Sequence, residues 1–251
     1  RDNEDYEVNS GYIGVSYEGF KDIRLGFDLD LYQSDSGEAG RLTSQEFAAD
    51  RDQVKSPFNR IEIDQVIATV KFEQQINDES TLDASVWYSG MDRVSRRSAM
   101  FTDPVNEPAT TNIDEQQFAN YGFDLRYALS WGGDNVLTAG TTAYRGDSPR
   151  TRHRSDDIRS SQQNQADLVF DQERLMTYNA LFVENLFRFG KLSVVPTMRI
   201  ERINYDLEEV VKNDGLNRDA IDLDQTFTET LFGLGLAYQI GDQSEVYANF
   251  S

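Results

Sequence analysis

Side chains along a β-strand alternate between two faces, and long segments of this chain keep that alternation strictly. In the stretch IRLGFDLDLYQSD, Ile23, Leu25, Phe27, Leu29 and Leu31 share one face, while Arg24, Gly26, Asp28 and Asp30 share the other. The same period sets Leu82, Ala84, Val86 and Tyr88 against Asp83, Ser85, Trp87 and Ser89. It also sets Tyr121, Phe123, Leu125, Tyr127 and Leu129 against Asn120, Gly122, Asp124 and Arg126, and Phe232, Leu234, Leu236, Tyr238 and Ile240 against Gly233, Gly235, Ala237 and Gln239. One face must meet water and the other must avoid it, so the pattern leaves a single question: which face is the inside.

About ten strand-like runs recur, at roughly 8–17, 22–34, 61–74, 80–94, 117–130, 135–146, 174–187, 191–205, 226–240 and 245–251, and almost nothing reads as helix. Several exceed the ~5–6 residues usual for strands of soluble sheets and reach the ~9–11 residues needed to cross a hydrocarbon layer. Connections alternate in length. YEGFK (17–21), QINDES (75–80), WGGDN (131–135), FRFGK (187–191) and GDQS (241–244) are short and rich in turn residues. The long connections, about 35–60, 95–116, 147–173 and 206–225, are polar. Short turns at one end and long loops at the other are the pattern of an antiparallel transmembrane β-barrel. Aromatics beside the short turns (Tyr17, Phe20, Phe72, Trp131, Phe187, Phe189, Tyr238) suit an interfacial girdle. The alternative is a soluble sheet with one buried face. The barrel reading inverts that default and turns Ile23, Leu25, Phe27, Leu29 and Leu31 outward to lipid.

Composition narrows function. No apolar run approaches the ~20 residues of a helical span. A net charge of -20 argues against a nucleic-acid partner. Zero cysteines exclude a disulfide framework and a thiolate metal site, and the one histidine, His153, leaves a His-based catalytic or zinc centre little to build with. No EF-hand spacing is present among the many loop carboxylates. No catalytic residues, resident metal or cofactor are therefore expected, and the chain is not expected to be an enzyme. The chain stops at VYANFS within a strand, so an incomplete barrel of about ten strands is expected, and the span 1–251 reads as part of a larger barrel domain.

ENLFRFGKLSVVPTMRIE (184–201) and LFGLGLAYQIGDQSEVYANFS (231–251) resemble segments of TonB-dependent outer-membrane receptors, most of all their ferric-citrate branch. The first resembles a hairpin in which an ENLFR-like strand turns into a Pro-Gly-x-Arg-x-Glu strand; Thr197 stands where glycine is usual, and Arg199 and Glu201 are retained. The second resembles Leu-Phe-Gly-x-Gly-x-x-Tyr and Tyr-Ala-Asn-x-Ser strands, and GMDRVSRRS (90–98) resembles an arginine-rich strand end of the same branch. The resemblance implies a section of a 22-stranded barrel in the bacterial outer membrane, with its plug domain and remaining strands outside this sequence. It also implies import of a ferric chelate, driven by the TonB complex through that plug.

Such a receptor needs donors for anionic carboxylates, and the planar arginine fork supplies two parallel ones. Two clusters lie at the long-loop side: RVSRR, with Arg93, Arg96 and Arg97, and RGDSPRTRHRSDDIR, with Arg145, Arg150, Arg152, Arg154 and Arg159. Continuing the phase of Trp87 turns Arg93 and Arg97 inward and Arg96 outward. The expected ligand-facing set is Arg93, Arg97, Arg150, Arg152 and Arg154. The blander role is contact with lipopolysaccharide phosphates at the rim, beside a general contact with outer-membrane lipid. Arg24, Asp28, Asp30, Asp124, Arg126, Arg199 and Glu201 read as cross-strand ion pairs of the wall. A passive porin, an importer of another ligand such as a carbohydrate, a barrel enzyme and a soluble β-sandwich binding module remain as alternatives.

Overall fold

The computed structural model describes residues 3–99, 110–157, 159, 166–241 and 244–250. Asp242 and Gln243 of the expected GDQS turn, Ser251 of the last run and parts of two long connections lie outside them. The described strands are β1 (Tyr6–Phe20), β2 (Ile23–Gly37), β3 (Arg60–Asn77), β4 (Ser80–Ala99), β5 (Thr110–Trp131), β6 (Asn135–Asp147), β7 (Arg150–Ser155), β8 (Asp167–Phe189), β9 (Leu192–Lys212), β10 (Asp222–Gly241) and β11 (Ser244–Phe250). All pair antiparallel in one sheet, in sequence order. β6 and β7 occupy one position between β5 and β8, interrupted at Ser148 and Pro149, so the sheet has ten staves. Proline has no N–H to give a ladder, which fits a break there.

A short helix α1 (Ser44–Ala49) lies in the β2–β3 connection, closed by a capping box between Thr43 and Glu46. The sequence reading missed it, although Thr43-Ser44-Gln45-Glu46 is the S/T-x-x-E signature. At the opposite end the turns are tight: Lys21 and Asp22 alone join Phe20 to Ile23, and Gly190 with φ 61° opens the turn between Phe189 and Leu192.

Above the membrane-crossing part the strands run further than expected. The segment 147–173 contains β7 and the start of β8, and 206–225 contains the end of β9 and the start of β10. No period of two marks them: β7 is polar on both faces, and apolar residues of the other segments fall side by side, Leu168, Val169 and Phe170 on β8 and Val210 and Val211 on β9. The ladder carries the strand upward. These segments were expected as loops, and that reading is corrected.

Burial answers the question of which face is inside. Only Ala39, Ile113, Val169, Phe170, Ala180 and Leu207 are buried apolar residues among those described, whereas Phe27, Val70, Val86, Phe123, Leu181 and Phe232 are exposed. A continuous exposed apolar band of this kind has lipid as its natural cover. The opposite face is concave and polar. Trp87 on β4 and Tyr144 on β6 stack across the intervening β5, over Gly122, with ring centroids 5.7 Å apart.

The band also gives the tilt of the strands. On β2 it runs from Ile23 to Leu31, with Gln33 above; on β10 it runs from Phe232 to Ile240, with Thr230 above. Between them its upper edge steps through Val66, Ala143, Leu181 and Ile200, capped by Asp64, Arg145, Asn179 and Arg202. One hydrogen-bonded row joins Ile23, Gln74, Leu82, Tyr127, Ala139, Val183, Met198 and Phe232. The lowest apolar residue of β2 is thus level in register with the highest of β10. The band has slipped by its own height, about 27 Å, over strand spacings totalling about 34 Å. That slope is about 38°, inside the ~35–45° of membrane barrels.

Aromatics gather where the band meets the short turns. Trp131 donates Nε1–H to Asn185 Oδ1 at 2.9 Å and meets Phe187 edge-on at 5.9 Å, and Phe187 stacks with Phe189 at 6.1 Å. Tyr17 and Phe20 pair edge-on at 5.3 Å.

Candidate functional site

The inward face divides into two zones. The lower, beside the lipid-facing band, is a hollow of about 660 Å³ whose lining includes Lys71, Glu73, Asp83, Asp124, Arg126, Phe182, Glu184 and Arg199. Arg126 and Arg199 both approach the Phe182 ring, each at 5.8 Å from its centroid. Asp124 accepts from Thr142 Oγ1 at 2.8 Å and from Trp87 Nε1 at 3.4 Å. Lys71 and Tyr12 reach Asp28 at 2.7 and 2.6 Å, Arg24 pairs with Glu73 at 3.5 Å, and Arg199 pairs with Glu201. Of the residues expected to form cross-strand ion pairs of the wall, Arg24 and Asp28 do so. Arg199 and Glu201 pair within β9, and Asp30, Asp124 and Arg126 have no ionic partner among the described residues. Phe182 and the Trp87–Tyr144 stack are additional. The sequence assigned no face to 174–187, so Phe182 was missed.

The upper zone holds the arginines. β4 and β7 both pair with β5, one on each side. Arg93 and Arg150 therefore lie opposite Gln116, Ser95 and Arg152 opposite Asp114, and Arg97 and Arg154 opposite Asn112. Partners in a row share a face, and the unbroken register from Trp87 keeps all five arginines inward. Two clusters far apart in sequence thus form one patch, about 10 Å wide across β5. Its inward rows on β4, β5 and β7 contain five arginines and a single carboxylate, Asp114. In a chain of net charge -20 this is a strong local reversal of sign.

Asp114 accepts from Arg152 Nε at 2.8 Å and Nη2 at 2.9 Å, and from Arg150 Nη2 at 3.0 Å. Its half-buried site pushes its pKa up, but the hydrogen bonds and charge of Arg152 and Arg150 outweigh this and hold the carboxyl below its ordinary value. Both guanidinium groups lie over the Phe170 ring, at 5.1 and 5.2 Å. Arg154 donates to Asn112 at 3.2 Å, and Arg97 pairs with Glu38 at 3.3 Å. Arg93 has no hydrogen-bond or ionic partner among the described residues. Arg96, expected to face outward, pairs with Glu62 at 2.6 Å. Phe170, Gln172 and Arg174 of β8 join the inward side of the patch and were missed, the first two because 147–173 read as loop and Arg174 because the run 174–187 was given no face.

An ionic clasp between the buried Glu209 and the exposed Arg218 closes the patch on the β9 side. Glu209 accepts from Arg218 at 2.6 and 2.9 Å, from the Ile221 N–H at 3.1 Å and from Gln172 at 3.2 Å. Arg218, foremost, holds the Glu209 carboxyl at about 2. A depressed carboxyl contributes stability that is complete above its unfolded pKa, near 4.3, and lost as pH falls through the folded value. Protection factors of residues 213–221, taken relative to the intrinsic exchange rate at each pH, are expected to stay constant above pH 5 and fall below pH 4, and Glu209→Gln should abolish that step.

The family described as TonB dependent receptor-like, beta-barrel, matches residues 3–251. Among solved structures, the ferric citrate transporter FecA in its unliganded form superposes with a TM-score of 0.83 at 15 % identity, over 99 % of this chain and 36 % of its own. BauA, the ferric preacinetobactin receptor from Acinetobacter baumannii, gives 0.71 at 12 % identity, over 97 % of this chain and 39 % of its own. The ferric-catecholate import receptor Fiu from E. coli K12, in its open form, gives 0.69 at 12 % identity, over 98 % and 47 %. No characterised protein matches significantly by sequence. This chain spans about a third to a half of those structures' lengths. Taken with the outward apolar band, the tilted staves and the polar concave wall, the match over residues 3–251 places the chain in the TonB-dependent receptors, a family of bacterial outer-membrane β-barrels that act as receptors and transporters.

Proposed function

We propose that this barrel wall serves uptake of an anionic ferric chelate with carboxylate ligands, of which ferric citrate is the simplest example. The observation that carries the reading is the inward patch of Arg93, Arg97, Arg150, Arg152 and Arg154, with one internal carboxylate and with Arg93 unpaired among the described residues. Such a patch leaves forked donors for ligand carboxylates at the mouth of the lumen. The fold shared with FecA is consistent with it. Import in this reading is driven by the TonB complex, through a plug domain seated against the lower hollow.

The test is equilibrium binding of ferric citrate to the intact protein that carries this chain. A charge-assisted hydrogen bond contributes about 1.5–3 kcal/mol, so Arg93→Gln or Arg97→Gln alone is expected to weaken binding by about tenfold to a hundredfold, and the two together by more. Unchanged affinity in the double variant sinks the site. Non-saturable conductance without binding would replace the receptor reading with a passive porin.

A further inference from the structure

Above the apolar band the outward face is strongly acidic: Gln33 and Asp35, Asp64 and Glu62, Asp92, and Gln117 and Glu115 follow it on β2 to β5. On β6 and β9 the first outward residue above the band is instead an arginine. Arg145 follows Ala143, and Arg202 follows Ile200. Register places Arg145 opposite Thr177 and Arg202 opposite Asn179, so the two flank β8 from its neighbours on either side. Both are exposed.

Each arginine is anchored through Nε, Arg145 on Asp147 and Arg202 on Asn204, both at 3.4 Å. Asn204 is itself fixed, donating to Thr177 at 2.9 Å and accepting from Thr226 at 2.9 Å. No Nη atom of either arginine has a partner among the described residues, so both forks present their outer donors to the surface. The other outward arginines of the rim differ. Arg60 pairs with Asp5 at 3.1 Å and Asp35 at 2.8 Å, and Arg96 with Glu62 at 2.6 Å. Arg96 is therefore already neutralised.

Depth selects the ligand. The next outward row up is Asp147, Leu175, Asp206 and Asp224, one residue on each of four adjacent strands. A free anion descending from solvent must pass these carboxylates. A phosphate held covalently at the top of an acyl region arrives at the arginines from the membrane side, below them. Arginine forks suit phosphate oxygens, and Thr177 and Asn179 of β8 add a hydroxyl and an amide group between them.

We propose that Arg145 and Arg202 clamp the phosphate of an outer-leaflet lipid headgroup across β8. This rests on the outward assignment of the apolar band and is independent of the ferric-chelate reading. The experiment measures lipid retained by the intact protein carrying this chain after detergent exchange, by native mass spectrometry, with bisphosphorylated lipid A, its dephosphorylated counterpart and inorganic phosphate as probes. Retention of bisphosphorylated lipid A is expected to fall about tenfold in Arg145→Gln/Arg202→Gln, a variant whose heat-modifiable gel mobility should stay native. Dephosphorylated lipid should be retained by the unaltered protein as weakly as lipid A is by the variant. Equal retention by variant and parent overturns the proposal, as does equal retention of the dephosphorylated lipid. Displacement of lipid A by millimolar inorganic phosphate also overturns it, by showing a general anion site. Should the double variant fail to insert, Arg202→Gln alone is expected to lower retention several-fold, and no loss there overturns the proposal equally.

Discussion

Phe27→Lys is expected to destabilise the membrane-inserted protein by about 2–4 kcal/mol, the cost of a lysine on the lipid face near the bilayer midplane. Phe27 sits at the centre of the β2 band, with Leu25 and Leu29 below and above it on the same face, and Val15 and Val70 are its outward neighbours on β1 and β3. Its side chain is exposed to the surroundings of the barrel, so the loss reflects lipid solvation rather than a cavity. The neighbouring change Asp28→Asn should be mild, because Asp28 lies on the watery face with Lys71 and Tyr12 and exposed pairs contribute little. Urea unfolding in lipid vesicles compares the two. A harmless Phe27→Lys would reverse the face assignment of the entire sheet, since register ties every strand to this one.

Gly140→Ala is the second large effect, about 1–3 kcal/mol of overpacking strain. A Cβ built there would lie 2.5 Å from the Leu125 carbonyl oxygen and 2.6 Å from two atoms of the Phe182 ring. The ring is hemmed by Arg126 and Arg199, and the carbonyl belongs to the neighbouring strand of the ladder, so neither yields cheaply. Gly11→Ala is the matched control: a Cβ there meets nothing within 4 Å, and the change should be near neutral. Equal midpoints for the two variants would mean that Phe182 does not lie against the β6 backbone.

The legible parts of this molecule were those where one face meets lipid. The alternation in 23–31 and 232–240 gave the strands, their outward faces and the short-turn end, because water and hydrocarbon impose opposite demands on successive residues. The reading weakened where that contrast ends. β7 carries polar residues on both sides and β8 opens with three consecutive apolar residues, Leu168, Val169 and Phe170. Neither shows a period of two, so Arg150, Arg152 and Arg154 read as loop residues although they stand on a strand. α1 escaped for a related reason: its six residues bury nothing, which leaves only the capping box as a signal.

The sequence by itself determined the class of fold and the faces of β2, β4, β5 and β10, since a period of two in a long segment assigns faces without any tertiary contact. It also supplied the arginines and the phase that turns Arg93 and Arg97 inward. Only the tertiary structure decided that β5 separates β4 from β7 by a single strand, which joins two arginine clusters into one patch, and that β8 stands between Arg145 and Arg202. Those neighbours are set by pairing register and by a tilt of about 38°, quantities of the whole sheet. Local side-chain preference is blind to them, because backbone hydrogen bonds form equally well between any two strands that the barrel brings side by side.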